Sequence, residues 1–261
     1  PGATVPFGAV QLSPDTRAGN WDACAGYHYD DTTLKGFSHT HLSGTGCIDL
    51  GDILFRPTTL KPDLTAESIC RPANFSHKDE RASAGYYSVI LKDEGIKAEL
   101  TATTHTGMHR YTFPSGKPVT IIVDLAHLLD NEYIYEAELE RTTSNEIVGM
   151  RRTRGWTDNQ YVYFAAQFSE PFQTVEFVQD KKIVSAETKQ VGTDLQAILT
   201  FADKDGEPII AKVGLSLVSV DNARKNLAEE VKDFNFDAVC AAARNDWEQA
   251  LSSITVEGGG T

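Results

Sequence analysis

The chain has 261 residues, 41% hydrophobic and 23% charged, a length and balance that allow a substantial core within one β-rich domain. No apolar run reaches the roughly 18 residues needed to cross a bilayer, which excludes a membrane-spanning helix. A formal net charge of −13 opposes phosphate backbones, whose attraction depends on lysine and arginine displacing counterions, so nucleic acid is not an expected partner.

Four cysteines (Cys24, Cys47, Cys70 and Cys240) occur without a CxxC pair and suggest neither a zinc knuckle nor a thioredoxin-type redox site. The chain starts at Pro1 without a leader and stops in Gly258-Gly259-Gly260-Thr261, so both ends read as cuts in a longer protein.

The stretch from Pro1 to Asp52 is dense in Gly, Asp, His and aromatic residues and poor in Lys and Arg. Such composition suits a sugar site. Aromatic rings offer a flat face to the C–H side of a pyranose, while Asp, His and Asn direct hydrogen bonds to hydroxyls. The aromatic, acidic and histidine residues that such a site could draw on are Trp21, Asp22, Tyr27, His28, Tyr29, Asp30, Asp31, His39 and His41. Each has a plainer alternative, since aromatic residues in sandwiches commonly belong to the core and Asp-rich loops cap turns through side-chain to backbone bonds. His39 and His41 stand two apart on an expected strand, which puts them on one face as metal ligands or as hydrogen-bonding groups. A cupin-like site would need a glutamate soon after them, whereas Leu42-Ser43-Gly44-Thr45-Gly46 follows. No serine elbow, P-loop or dinucleotide fingerprint is present, and Gly44-Thr45-Gly46 reads as a turn.

From about 84 to 219 the sequence reads as successive strands. Tyr86–Leu91 and Ile96–Thr103 are joined through the hairpin loop Asp93-Glu94-Gly95. Further strands are expected at 117–125, 145–154, 160–168, 194–202 and 208–219, with Ser115-Gly116-Lys117 and Lys204-Asp205-Gly206-Glu207 as two more hairpin loops. Arg151, Arg152 and Arg154 read as the solvated face of a strand. No helical period interrupts the series, which argues for two stacked antiparallel sheets rather than βαβ units.

The pattern changes at Asp221, an expected N-cap for a helix from Asn222 to about Lys232. In a second helix Phe236, Val239, Cys240, Ala243, Trp247 and Leu251 form one apolar stripe, with Trp247 as a packing residue. The expected division is a β-sandwich over 1–220 and a helical linker over 221–261, whose stripe would be received by another module.

Several runs together resemble glycoside hydrolase family 92, the calcium-dependent exo-α-mannosidases. They are Pro1-Gly2-Ala3-Thr4-Val5-Pro6-Phe7-Gly8, Gln11-Leu12-Ser13-Pro14-Asp15-Thr16, Gly26-Tyr27-His28-Tyr29-Asp30, Gly36-Phe37-Ser38-His39 through Ser43-Gly44, and Asp49-Leu50-Gly51-Asp52. Ala243-Arg244-Asn245-Asp246-Trp247 is similar to the family's entry into its second domain. The resemblance implies an amino-terminal sandwich packed on an (α/α)6 barrel, release of mannose with inversion from α-mannosides, with α-1,2 as the expected linkage type, and a bacterial, extracytoplasmic, glycan-degrading enzyme. It places the catalytic acid and base, and most of the calcium site, in the barrel, so no catalytic residue and no metal ligand is assigned in this chain. It also implies that Trp21 stacks on the sugar beside the scissile bond, that Asp22 accepts hydroxyl hydrogen bonds, and that Tyr27, His28, His39 and His41 shape the rim or support the loop from behind. The family's Asn-Pro-Phe-type start is missing before Pro1, which leaves the first strand expected to be unpaired. A free-standing carbohydrate-binding module is the competing function, favoured if the isolated chain binds mannosides appreciably and if the stripe of the last helix packs on its own sandwich. A cupin-like metalloenzyme using His39 and His41 is a third.

Overall fold

A computed structural model describes all residues except 1, 20, 43, 45, 67, 131–132, 185–187, 256–257 and 259–261. Two antiparallel sheets face each other. The seven-stranded sheet runs, in spatial order, Ser13–Asp15, Gly36–Ser38, Leu54–Thr58, Val119–Asp124, Leu195–Phe201, Thr174–Gln179 and Lys182–Val184. The nine-stranded sheet runs Lys189–Gly192, Tyr133–Arg141, Glu146–Arg154, Gln160–Phe168, Ile209–Ser216, Thr106–Thr112, Ile96–Ala102, Tyr86–Leu91 and Arg81–Ser83. The expected β-sandwich followed by two helices is the fold observed.

Period-two alternation builds the core. Ile121 and Val123 point inward from one sheet, Ala98, Leu100, Ile147 and Phe164 from the other, and all belong to one buried cluster. Phe55 and Phe168 stack across the two sheets with ring centroids 6.2 Å apart. The hairpin through Gly95 forms as expected, with Leu91 opposite Ile96 and Gly95 at φ +67, a conformation suited to glycine.

Two of the expected hairpin loops instead switch sheets. Val119–Asp124 pairs with Leu54–Thr58 and Leu195–Phe201, while Thr106–Thr112 and Ile209–Ser216 pair with each other in the opposite sheet. The two crossing turns clasp one another, Gly116 N donating to Asp203 Oδ2 at 2.6 Å and Ser115 Oγ to Asp205 Oδ1 at 3.1 Å. A turn sequence sets local chain reversal, but which sheet receives the next strand is settled by the partners it meets. The amino-terminal segment is paired, contrary to expectation, since Ala3 and Leu12 exchange both backbone bonds at 2.7 and 3.1 Å.

Helix α1 (Val220–Glu230) begins two residues earlier than expected, because the Ser219 side chain caps Asn222 N and leaves Asp221 in the first turn, where its charge suits the helix dipole. Helix α2 (Phe236–Leu251) is capped by Asn235. Its stripe packs on its own sandwich from Phe236 to Trp247, whereas Leu251 at its end is 64% exposed. Phe236 is 2% exposed against Met108 and Val231, with Tyr86, Ile210, Val239 and Cys240 around it. The close approach extends along the helix: a Cβ on Gly85 would lie 2.7 Å from that of Ala243. Trp247 does pack, and its Nε1 donates to the Thr4 carbonyl at 2.6 Å.

Candidate functional site

The short strand Ser13–Asp15 pairs with Gly36–Ser38 and delivers Asp15, fully buried, to one end of the sandwich. His41 Nε2 lies 2.7 Å from Asp15 Oδ1 and His127 Nε2 lies 2.8 Å from Oδ2. Burial alone would raise the carboxyl pKa, but the charge and hydrogen bond of His41, together with those of His127, hold it well below the usual carboxylate range. His41 Nδ1 faces the Gln11 carbonyl at 2.7 Å. Its Nε2 also meets the Ser38 hydroxyl at 3.0 Å.

Around this hub two other loops converge on Leu129. Gly19 N donates to the Leu129 carbonyl at 2.5 Å, and a Cβ on Gly51, whose φ is +82, would stand 2.7 Å from Leu129 Cγ. Gly26 is held to glycine twice over, by φ +77 and by Asp15 Oδ1, 2.4 Å from where its Cβ would be. Asp52 is ion-paired with Arg151 at 2.7 Å, both side chains at most 1% exposed. Arg151 is therefore a correction to the solvated-face reading. The strand's period of two sends 151 and 152 to opposite faces, and the exposed face carries Arg152, whose guanidinium lies 4.8 Å from the Tyr135 ring centroid. Asp49 accepts from Trp156 N at 3.0 Å, tying the turn after Arg154 to the same loop, with Trp156 71% exposed.

The expected site residues divide into three groups. Trp21 and Asp22 sit in a 3-10 turn, Trp21–Ala23, on the exposed rim, with Trp21 67% exposed. Their loop is closed by the fork of Arg17 on Asp31, at 2.6 to 3.0 Å, which spans 14 residues. Tyr27 and His28 are half-buried behind it. The Tyr27 hydroxyl donates to Glu80 at 3.0 Å, and burial, followed by the Glu80 charge, pushes the phenol pKa up. His28 N donates to Thr16 Oγ1 at 2.9 Å. A cleft of about 140 Å³ opens between Thr4, Gln11, Ser13, Ala25, Tyr27 and His41.

His39 belongs to the inter-sheet core. It is fully buried, with Nδ1 2.6 Å from the Ile53 carbonyl and Nε2 3.0 Å from His109, whose Nδ1 meets the Tyr111 hydroxyl at 2.7 Å. Burial pushes its pKa down to about 4. The strand ends at Ser38, so the shared strand face expected for His39 and His41 gives way to separate partners. That separation removes the geometric basis of a cupin-like pair. A calcium ion does not fit the residues present either. Among the described residues no three His, Cys, Asp or Glu groups are placed to hold a metal, and the buried carboxylates Asp15 and Asp52 are taken by His41, His127 and Arg151.

The model of the glycosyl hydrolase family 92 N-terminal domain matches residues 1–216, and that of the family's catalytic domain matches 222–261. The chain belongs to glycoside hydrolase family 92. A solved family 92 α-mannosidase of Bacteroides thetaiotaomicron, in complex with mannoimidazole, is 37% identical with a TM-score of 0.93, over 99% of this chain and 35% of that one. An inverting family 92 mannosidase of Bacteroides thetaiotaomicron VPI-5482 is 25% identical with a TM-score of 0.85, over 99% of this chain and 34% of that one. An uncharacterized secreted glycosidase of Arthroderma benhamiae is 25% identical across 100% of this chain and 37% of its own length. The chain thus spans about a third of the relatives it matches. Because these family 92 structures cover 99% of the chain, its helices included, α2 packed on the sandwich is compatible with the enzymes and does not single out a free-standing module.

His127, Arg151, Trp156 and Glu80 were not legible as site residues. His127 sits in Leu125-Ala126-His127-Leu128-Leu129, which reads as apolar packing, and Arg151 sits in a run of like charge. Trp156 offered the one usable signal, an aromatic residue within a turn, Gly155-Trp156-Thr157.

Proposed function

We propose that this chain is the substrate-recognition part of an inverting, calcium-dependent exo-α-mannosidase that acts on mannose-containing glycans outside the cytoplasm. The observation that carries this reading is Trp21. It is a large exposed ring on a loop closed by Arg17 and Asp31, and that same loop is tied to Leu129 through Gly19 and lies against the buried Asp15 carboxylate at Gly26. A rigid exposed aromatic of this kind offers a flat apolar face to a pyranose, and Asp22 beside it is an acceptor for hydroxyls. The cleft lined by Tyr27 and His41 adds polar groups behind that face.

An inverting pair needs carboxyls roughly 6.5–9.5 Å apart with a water between them. Asp15 and Asp52 are saturated by partners and enclosed, so neither is offered as acid or base. The acid, the base and the calcium ligands are assigned to the catalytic domain, whose family model begins to match at residue 222. Residues 1–220 are the recognition domain in this reading, and 221–261 the link. Secretion is supported by the secreted fungal relative, and action on α-mannosides by the bacterial α-mannosidase. The α-1,2 linkage is the specificity to probe.

The test is release of free mannose from α-1,2-linked mannobiose, by this chain alone and by the protein that carries the complete catalytic domain, each with and without a calcium chelator. Turnover is expected only in the longer protein and is expected to stop on chelation. In that protein Trp21→Ala should lower kcat/KM by about tenfold, the equivalent of losing an aromatic contact of about 1.4 kcal/mol. Hydrolysis by the 261-residue chain alone would place the acid and base within it and overturn the assignment.

A further inference from the structure

A cleft of about 590 Å³, which Trp21 does not line, lies on the outer face of the seven-stranded sheet, bordered by residues 60–63 and 68–72. Its size falls within the 300–1,000 Å³ range of small-molecule sites. Leu54, Asp124 and Gln196 form its floor on three adjacent strands, Asp124 pairing across from Leu54 on one side and Gln196 on the other. Gln196 is 5% exposed. Its Nε2 donates to Asp194 Oδ1 at 2.6 Å, which fixes the amide orientation, and its Oε1 has no hydrogen-bond partner among the described residues. Asp124, also 5% exposed, accepts from Ala126 N at 2.8 Å and makes no ion pair among the described residues. A buried amide oxygen and a buried carboxylate side by side are costly unless donors reach them.

We propose that this cleft is a second sugar-binding site, taking a neutral hexose unit. The lining decides the ligand class. A phosphate or carboxylate would bring only acceptors against Asp124 and Gln196 Oε1. An ammonium would bring donors, but it would meet Lys35, Lys61, Arg71 and Lys181 around the cleft. A hydroxyl is donor and acceptor at once and carries no charge, so a polyol answers the floor and the lysines together. Leu54 and Ile122 supply the apolar surface for its C–H groups. The cleft adjoins the first site through His127, which lines it while holding Asp15 Oδ2 at 2.8 Å.

The inference rests on the proposed function only for the choice of mannose as probe. Its test is a titration of the isotope-labelled protein with methyl α-mannoside and, separately, with inorganic phosphate, followed at the Gln196 side-chain amide, at the Trp21 indole and, for variants that lack Gln196, at the backbone amides of Asp124 and Ala126 on the cleft. Methyl α-mannoside should move the Gln196 signal saturably, in the native protein and equally in Trp21→Ala. Gln196→Leu should weaken that binding about tenfold or more, the usual effect of removing a hydrogen bond beside a charged group. Lys181→Ala, an exposed change at the cleft, should weaken it by a smaller factor and guards against misfolding of the buried variant. Shifts confined to the Trp21 indole would overturn the second site while leaving the proposed function intact. Movement of Gln196 by phosphate alone would overturn the ligand class, and no movement with either probe would overturn the site.

Discussion

Arg151 is the side chain whose removal tests most directly how the site end of the sandwich is held. Its guanidinium bonds Asp52 Oδ1 through Nε at 2.9 Å and Nη2 at 2.7 Å, and its Nη1 donates to the carbonyls of Leu125, at 3.3 Å, and His127. Replacing Arg151 by Met leaves the Asp52 carboxylate enclosed with, among the described residues, two neutral side-chain donors, Thr40 Oγ1 at 2.6 Å and Gln160 Nε2 at 3.1 Å. Breaking a buried pair by removing one partner costs about 3–5 kcal/mol, because the remaining charge cannot return to water. For a domain of this size that is a loss of about 6–20 °C in Tm. Urea unfolding of the native protein, Arg151→Met, Asp52→Asn and the double variant completes the cycle. The double variant should recover much of the loss, since a neutral amide at 52 still accepts from Thr40 and Gln160 without an unpaired charge. If Arg151→Met alone costs under about 1 kcal/mol, the site of the pair is wetter than its burial implies and the argument fails.

The remaining predictions concern acid sensitivity and the docking of α2. His39 has its pKa lowered to about 4 by burial, and His109 is lowered in the same way. Protonation therefore favours the unfolded chain. Stability is full above the unfolded histidine value near 6.5 and falls progressively towards pH 4, by about 3 kcal/mol for His39. Asp15 shifts in the direction that gives stability above the unfolded carboxyl value of about 3.9 and loses it below that pH. Urea midpoints between pH 4 and 7 measure this slope, and His39→Gln, which cannot titrate, should flatten it; an equal slope in that variant would remove His39 as the cause. Phe236→Ala should cost about 3–5 kcal/mol, because the ring is 2% exposed under the Arg110 guanidinium. Proteolysis between α1 and α2 should accelerate in that variant, and unchanged cleavage would show that α2 is held elsewhere.

Much of the architecture follows from local pattern. Alternation of period two, a glycine at Gly95 and caps near 220 and 235 are properties of a few neighbouring residues, and they predict strands, a hairpin and two helices without knowledge of partners. The strand Tyr133–Arg141 was passed over although Ala137 and Leu139 alternate with Glu136, Glu138 and Glu140, because its charge masked the pattern. Trp21 and Asp22 stand out in the sequence because an aromatic–acid pair in a glycine-rich loop carries its chemistry locally, and the structure places both on an exposed turn. Which residues meet was a different matter. Asp15 finds His127 across 112 positions, and Asp52 finds Arg151 across 99, so no spacing in the chain announces either pair. The turns at 115–117 and 204–207 have the residues of hairpins, yet they cross between sheets because their flanking strands find better partners at long range. The amphipathic stripe of α2 fixed that an apolar surface had to be covered, and only the packed sandwich decided that Met108 and Tyr86 would cover it. Hydrophobic burial has no direction: sequence determines which faces must leave water, and the tertiary structure determines what each face meets.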